Sequence, residues 1–268
     1  MNLKGQWVWV TGASSGLGLE LSKQLGRLGA NVMITARRAD RLEALGNELR
    51  AMGVEVKVAP ADMSLPADVE KVLGIAKSLP LAAVVLNAGV THFGHHHELE
   101  WSAFEAMLQT NVVSTTRITT ELVKHFQAAG TEARIMLVTS LTGLIPTPFQ
   151  SAYSGTKAFL STFGVALAHE LKGSKVSVTV FAPGGIATEQ TAGARFNALR
   201  AWLAPVDAVA LEAIAALRSR NPLWMQGLLN RVGFLLFRFL PRNLVIWGLS
   251  AQYRKALAVH ALGEGGKK

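Results

Sequence analysis

The chain has 268 residues, half of them hydrophobic and 17% charged, which argues against general disorder and suffices for one α/β domain with a full core or for two small domains. It has no cysteine, so disulfide staples, thiolate metal sites and a cysteine nucleophile are excluded. The net charge of +9 suits anionic partners, yet the basic residues are dispersed, with local density at Arg37-Arg38, Arg218 to Arg220, Arg231 to Arg242 and Lys267-Lys268, and no basic run interleaved with aromatics points to nucleic acid.

The N-terminus runs straight into a strand, Trp7 to Val10, without the charged and apolar regions of a signal peptide. The strand leads into Thr11-Gly-Ala-Ser-Ser-Gly-Leu-Gly18 and a helix to about Leu28. Gly12, Gly16 and Gly18 let backbone approach a pyrophosphate closely, and the helix start offers free N–H groups. Ser14, Ser15 and Leu17 share that cradle. The spacing is G-x-x-x-G-x-G rather than G-x-G-x-x-G. A second strand, Val32 to Thr35, is followed by Arg37 and Arg38 with no acid at its end. An acid there would hold a ribose 2′-hydroxyl, whereas guanidinium suits a 2′-phosphate, so NADP(H) is favoured over NAD(H).

Asp40 to Met52 reads as a helix and Val54 to Ala59 as a third strand. Pro66 opens the next helix, and Ala82 to Leu86 is a fourth strand. His92 and His95 to His97 read as a surface loop, because adjacent histidines do not converge on one ion in regular structure, and no metal is expected. A long helix from Trp101 to Ala128, a strand from Arg134 to Thr139, a helix from Ser151 to Leu171 and a strand from Lys175 to Phe181 continue the alternation. The pattern predicts a Rossmann-type doubly wound α/β fold, a parallel sheet of about seven strands with helices on both faces. Within Ser151 to Leu171, Tyr153 and Lys157 lie four residues apart, on one face and one turn from each other. A cation there favours the phenolate and lowers the tyrosine pKa, which makes a proton donor and acceptor. The other tyrosine, Tyr253, lies near the C-terminus in a different setting.

Pro222 to Gln226 reads as the seventh strand. Gly227 to Leu240 then reads as a helix with Leu229, Val232, Leu236 and Leu240 on one side, widened by Leu228, Leu235 and Phe239. Arg231 and Arg238 lie opposite. Pro241 starts a further segment, Asn243 to Leu257. No run reaches the ~18 apolar residues of a membrane span. Two readings follow for this C-terminal helical extension: an amphipathic cap packed on the domain or on a partner subunit, or an interfacial helix with arginines at lipid headgroups.

Six motifs in this order resemble those of the short-chain dehydrogenase/reductase superfamily, in its soluble single-domain branch, over roughly residues 5 to 190. They are the glycine loop Thr11 to Gly18, Asp62-Met63, Asn87-Ala88-Gly89, Ser140 thirteen residues before Tyr153, Tyr153-x-x-x-Lys157, and Pro183-Gly184-Gly-Ile186-Ala-Thr188. Asn111 falls where the family places a catalytic asparagine. The resemblance implies an oxidoreductase that moves hydride between NADP(H) and a carbonyl or alcohol carbon. Asp62 and Met63 would meet the adenine, the N-A-G element would line the cofactor, and Thr188 would meet the nicotinamide carboxamide. Tyr153 would transfer the proton, Ser140 hold the substrate oxygen, Lys157 tune Tyr153 and bind the ribose, and Asn111 support a proton relay through water. Residues 1–226 would form the catalytic domain, with a substrate lid at about 184–205, and residues 227–268 the extension. Apolar Phe196, Leu199, Trp202 and Leu203, with Leu141, Leu144, Ile145 and Phe149, suggest a hydrophobic substrate. The family also implies a homodimer or homotetramer. Placement would be cytoplasmic, with membrane contact through residues 227–260 as the second reading of that segment. The competing class is a protein that binds NADP(H) as a sensor or scaffold without turnover.

Overall fold

The computed structural model describes residues 1–193, 200, 202–237 and 239–265, with the side chains of Gln190, Phe237 and residues 258–265 left aside. Phe196, Leu199, Arg238, Lys267 and Lys268 therefore lie outside the described residues. Seven strands among them form one parallel sheet in the order β3-β2-β1-β4-β5-β6-β7. The strands are β1 (Trp7–Thr11), β2 (Asn31–Thr35), β3 (Val56–Val58), β4 (Leu81–Leu86), β5 (Ala133–Val138), β6 (Val176–Ala182) and β7 (Leu223–Met225). The order reverses between β1 and β4, which opens a crevice at the C-terminal ends of those strands, the place where open α/β sheets bind ligands.

Strand alternation sorts the core into two layers. Val8, Val10, Val32, Ile34, Val85 and Phe181 pack under α1 (Gly16–Arg27), α2 (Ala39–Ala51) and α7 (Val206–Ser219). Trp9, Met33, Val84, Ile135, Leu137 and Val178 pack on the other side against α3 (Pro66–Lys77), α5 (Thr115–Ala128) and the C-terminal part of α6 (Ser151–Glu170). Strands buried on both faces explain the near-continuous apolar runs of β4 and β5, in which every residue is buried.

Three findings refine the expectations. The long helix runs through Trp101 to Ala128 but changes register: α4 (Trp101–Leu108) and α5 are joined by a π-helical segment, Gln109–Ser114. Tyr253 lies on α9 (Arg242–Gly265) and lines the same cleft as Tyr153, so its setting is not separate. The third concerns α8 (Leu228–Phe237): its apolar stripe does not pack on the domain. Leu228, Leu229, Val232, Leu235 and Leu236 are all exposed. The polar side faces inward instead, because Arg231 pairs with Glu212, donates to Met225 O at 2.8 Å and stacks 4.7 Å from the Trp224 ring. α9 turns its inner face to the domain, where Ala256 and Tyr253 pack with Phe93 and Phe149.

Candidate active site

The glycine loop after β1 is shaped by close backbone approach. A β-carbon at Gly18 would lie 2.3 Å from Gly12 O, and one at Gly12 would lie 2.9 Å from Ala88 Cα. Gly12 and Gly16 also have φ of 70° and 55°, where side chains are disfavoured. The loop is fastened to the end of β4: Thr11 Oγ1 accepts from Asn87 N and Ala88 N at 3.0 Å, and Asn87 Nδ2 donates to Thr11 O at 3.0 Å. The first turn of α1 receives no side-chain cap from Ser15 and contains no acidic residue. Its N–H groups and positive dipole end are thus available to an anion.

Arg38 reaches back over this loop, donating to Ser14 Oγ at 3.1 Å and Ser15 Oγ at 2.8 Å. Its other nitrogen pairs with Glu189 at 3.5 Å, and Arg41 holds the same carboxylate at 2.8 Å. Those two arginines keep Glu189 below the usual carboxylate range, so it stays ionised. Arg37 stands 3.8 Å from Asp62. Gly12, Ser14, Ser15, Gly16 and Leu17 of the glycine loop line one cleft of about 790 Å³ with Arg37, Arg38, Asp62, Met63, Asn87, Ala88, Gly89, Pro183, Gly184, Ile186 and Thr188, while Gly18 packs behind it against Gly12.

Toward the other end of the cleft, Ser140 closes β5. Its Oγ accepts from Thr142 N at 3.2 Å and Thr142 Oγ1 at 3.0 Å, and its hydroxyl favours the ionised form of Tyr153. The turn Leu141–Gly143 packs directly on α6: a β-carbon at Gly143 would sit 2.6 Å from Lys157 C. Lys157 is buried and donates to Val138 O at 2.9 Å, with Nζ 5.7 Å from the Tyr153 ring centroid.

The electrostatics correct one expectation. The Tyr153 phenol is not lowered: burial pushes it up to about 12, against a smaller downward pull from Ser140, and Tyr253 adds to the rise. The ring is half-buried along an open cleft, so solvent moderates that push. Burial likewise draws the Lys157 ammonium down to about 8. Loss of solvation on burial is the main cause of both shifts.

Asn111 sits in the π segment and is fully buried. Its Oδ1 accepts from Val90 N at 2.9 Å, and its Nδ2 donates to Val90 O at 2.9 Å and Thr156 Oγ1 at 3.1 Å. It thereby ties the segment after Asn87-Ala88-Gly89 to α6. Asn111 Oδ1 and Lys157 Nζ converge beside Gly89, where a β-carbon would lie 3.3 and 3.4 Å from them. Thr142, Tyr253 and Glu189 are site residues that motif spacing missed. Thr142 had a signal, a hydroxyl two residues after Ser140; Tyr253 had none. His95, His96 and His97 are exposed.

A parallel sheet with its crevice at the β1/β4 switch, a glycine cradle at one end and a Ser–Tyr–Lys cluster at the other define a nucleotide-dependent oxidoreductase site. Residues 6–198 match the short chain dehydrogenase family, and the chain belongs to it. Among curated relatives, a 7beta-hydroxysteroid dehydrogenase of Mediterraneibacter gnavus is 31% identical, over 67% of this chain and 68% of its own length. A very-long-chain 3-oxoacyl-CoA reductase of Podospora anserina is 34% identical, over 65% of this chain and 53% of that one. Among solved structures, a 7beta-hydroxysteroid dehydrogenase superposes with a TM-score of 0.83 at 26% identity, covering 93% of this chain and all of the other. A short-chain dehydrogenase from Sphingobium yanoikuyae, solved with NADPH, gives 0.76 at 26% identity, over 87% and 93%.

Proposed function

We propose that the protein is an NADP(H)-dependent carbonyl reductase or alcohol dehydrogenase for a hydrophobic substrate, working in the cell mainly toward reduction. The observation that carries this is the Ser140–Tyr153–Lys157 cluster in one cleft with an uncapped, glycine-lined helix start. Relatives named for steroid and long-chain acyl substrates, and neighbours solved with NADPH or NADP, support the apolar substrate and the phosphorylated cofactor. Residues 1–226 act as the catalytic unit and residues 227–268 as a helical extension, with 184–205 as a lid. The parallel bridge between Ile186 and Ala204 supports that lid by joining its two ends.

The residues fit the cofactor. Gly12, Ser14, Ser15, Gly16, Leu17 and Gly18 would hold the pyrophosphate, Arg37 and Arg38 the 2′-phosphate, and Asp62 and Met63 the adenine. Asn87, Ala88, Gly89, Pro183, Gly184, Ile186 and Thr188 line the nicotinamide end, with Lys157 at the ribose. When bound, the cofactor supplies or accepts the hydride. Ser140 donates its proton to the substrate oxygen and fixes it beside Tyr153. In reduction Tyr153 Oη gives that oxygen a proton as the carbon accepts hydride, and the resulting phenolate is reprotonated through water on the Lys157 and Asn111 side. A carbonyl panel assayed with NADPH tests this reading; tight NADPH binding with no turnover on any carbonyl would favour the sensor or scaffold instead.

Two further outcomes follow from the site. Arg38→Ser is expected to weaken NADPH binding by about tenfold to a hundredfold and leave NADH nearly unchanged. Glu189→Gln is expected to tighten NADPH severalfold, because the carboxylate competes with the 2′-phosphate for Arg38 and Arg41. Its stability should hardly change, since these ion pairs are exposed. Fluorescence titration with both nucleotides checks each variant.

Lys157 also makes stability depend on pH. Its folded value, about 8, lies below the 10.5 of a solvated lysine, so the unfolded chain binds the extra proton between them. Native stability should therefore rise as pH increases through that window and be flat below it. In urea unfolding, the stability of the wild type relative to Lys157→Met should grow by roughly 2–3 kcal/mol between pH 8 and 10.5. No change in that difference would show that the ammonium is not held at a depressed pKa.

A further inference from the structure

Helix α8 is amphipathic in the inverted sense. A helix on a protein surface normally buries its apolar stripe, but here Arg231 is drawn inward by Glu212 and Trp224 while the leucines face out. Leu229 is 88% exposed, Phe239 after the helix 85%, and Trp247 on α9 70%. Leu244, Trp247 and Gly248 are followed at helical spacing by exposed Ala251, Arg254 and Lys255, so the outer side of α9 runs from apolar to cationic. Arg242, Arg254 and Lys255 are exposed on α9, and the sequence between Glu212 and Glu264 contains no aspartate or glutamate. The one nearby acid, Glu212, is already occupied by Arg231, Trp224 Nε1 and Gly227 N.

We propose that the outer faces of α8 and α9 dock on an anionic lipid bilayer, lying in its interface. The charge pattern selects this occupant. A second copy of the chain would set this acid-free cationic segment against itself, whereas anionic headgroups supply the countercharge and the acyl boundary takes the leucines. Tryptophan at position 247 suits the headgroup level. The contact is peripheral, because no helix among the described residues is long and apolar enough to cross a membrane. The inner sides of the same helices contribute Asn230, Leu249, Gln252 and Tyr253 to the cleft. An apolar substrate would thus enter the cleft from the lipid side. That entry route rests on the oxidoreductase reading; the docking does not.

The test is co-sedimentation of the full chain with vesicles of phosphatidylcholine alone and with phosphatidylglycerol added. Binding is expected only to the anionic vesicles and should fall with salt. Leu229→Glu with Leu236→Glu should abolish it while NADPH titration stays unchanged. Arg242→Glu with Arg254→Glu, on exposed positions away from the cleft, should weaken it by about thirtyfold or more. If the leucine variant loses NADPH binding as well, the arginine variant decides. Failure to bind either vesicle overturns the proposal, as does a dimeric mass that the leucine variant reduces to a monomer. Vesicle binding without carbonyl turnover would sink the enzymatic reading and leave the docking intact.

Discussion

Tyr153→Phe is expected to lower kcat by about 10²–10⁴-fold, with NADPH binding altered by no more than about twofold. The substitution removes one oxygen from a half-buried ring, so packing in α6 is kept and Ser140 retains its two bonds from Thr142. What is lost is the proton that the substrate oxygen takes as hydride arrives. Because that transfer exists only in the transition state, kcat and kcat/KM should fall together. The phenol value of about 12 sets the sign of the pH profile. Tyr153 remains protonated through neutral pH, so reduction should keep its acid there, while alcohol oxidation, which needs a base, should gain as pH rises. Steady-state rates in both directions from pH 6 to 10 check this. A variant retaining most of its kcat would place the donor elsewhere, and Tyr253, across the same cleft, would be the next group to replace.

Gly18→Ala is expected to weaken NADPH binding by about a hundredfold or more and to destabilise the fold by about 1–3 kcal/mol. A β-carbon there would lie 2.3 Å from Gly12 O, 2.6 Å from Asn87 Nδ2 and 2.8 Å from Gly12 C. Two of these three atoms are backbone, so no side chain can swing clear. Relief requires the glycine loop to move away from the start of α1, and the cradle opens as it does. The loop would also strain Thr11, whose hydroxyl and carbonyl hold the end of β4. Gly74, with nothing within 4 Å of its β-position, is the control: its alanine variant should bind NADPH normally. Isothermal titration together with a thermal melt separates loss of binding from loss of fold.

The features that were legible are those fixed by short spacing. The strand–loop–helix at Thr11 to Gly18 and the Tyr153–Lys157 pair are local patterns, and the β–α alternation imposes the parallel sheet. Three things escaped for physical reasons. Periodicity finds the apolar stripe of α8 but not which side faces inward; that is decided by Glu212, sixteen or more residues earlier in the chain. Tyr253 joins the cleft through Phe93 and Phe149, contacts between parts of the chain far apart in sequence. The direction of the Tyr153 shift is set by burial in the folded cleft, which no local spacing reveals. Phe149 adds a further unreadable feature, a non-glycine φ of 64° beside the cleft.

The π-helical segment Gln109–Ser114 holds the frame of the molecule in a way that can be counted. A π turn accommodates one more residue than an α turn, so α4 and α5 are out of phase by about 100° compared with a single unbroken rod. Removing either Val112 or Val113 would heal the helix into a regular one. The healed helix would gain ordinary hydrogen bonding, yet it could not keep both ends in register: either α5 leaves the Ile118–Leu122–Phe126 seam under the sheet, or Asn111 swings away from Val90. The extra residue is thus a phase shifter, letting one helix serve the sheet with one half and the cleft with its waist.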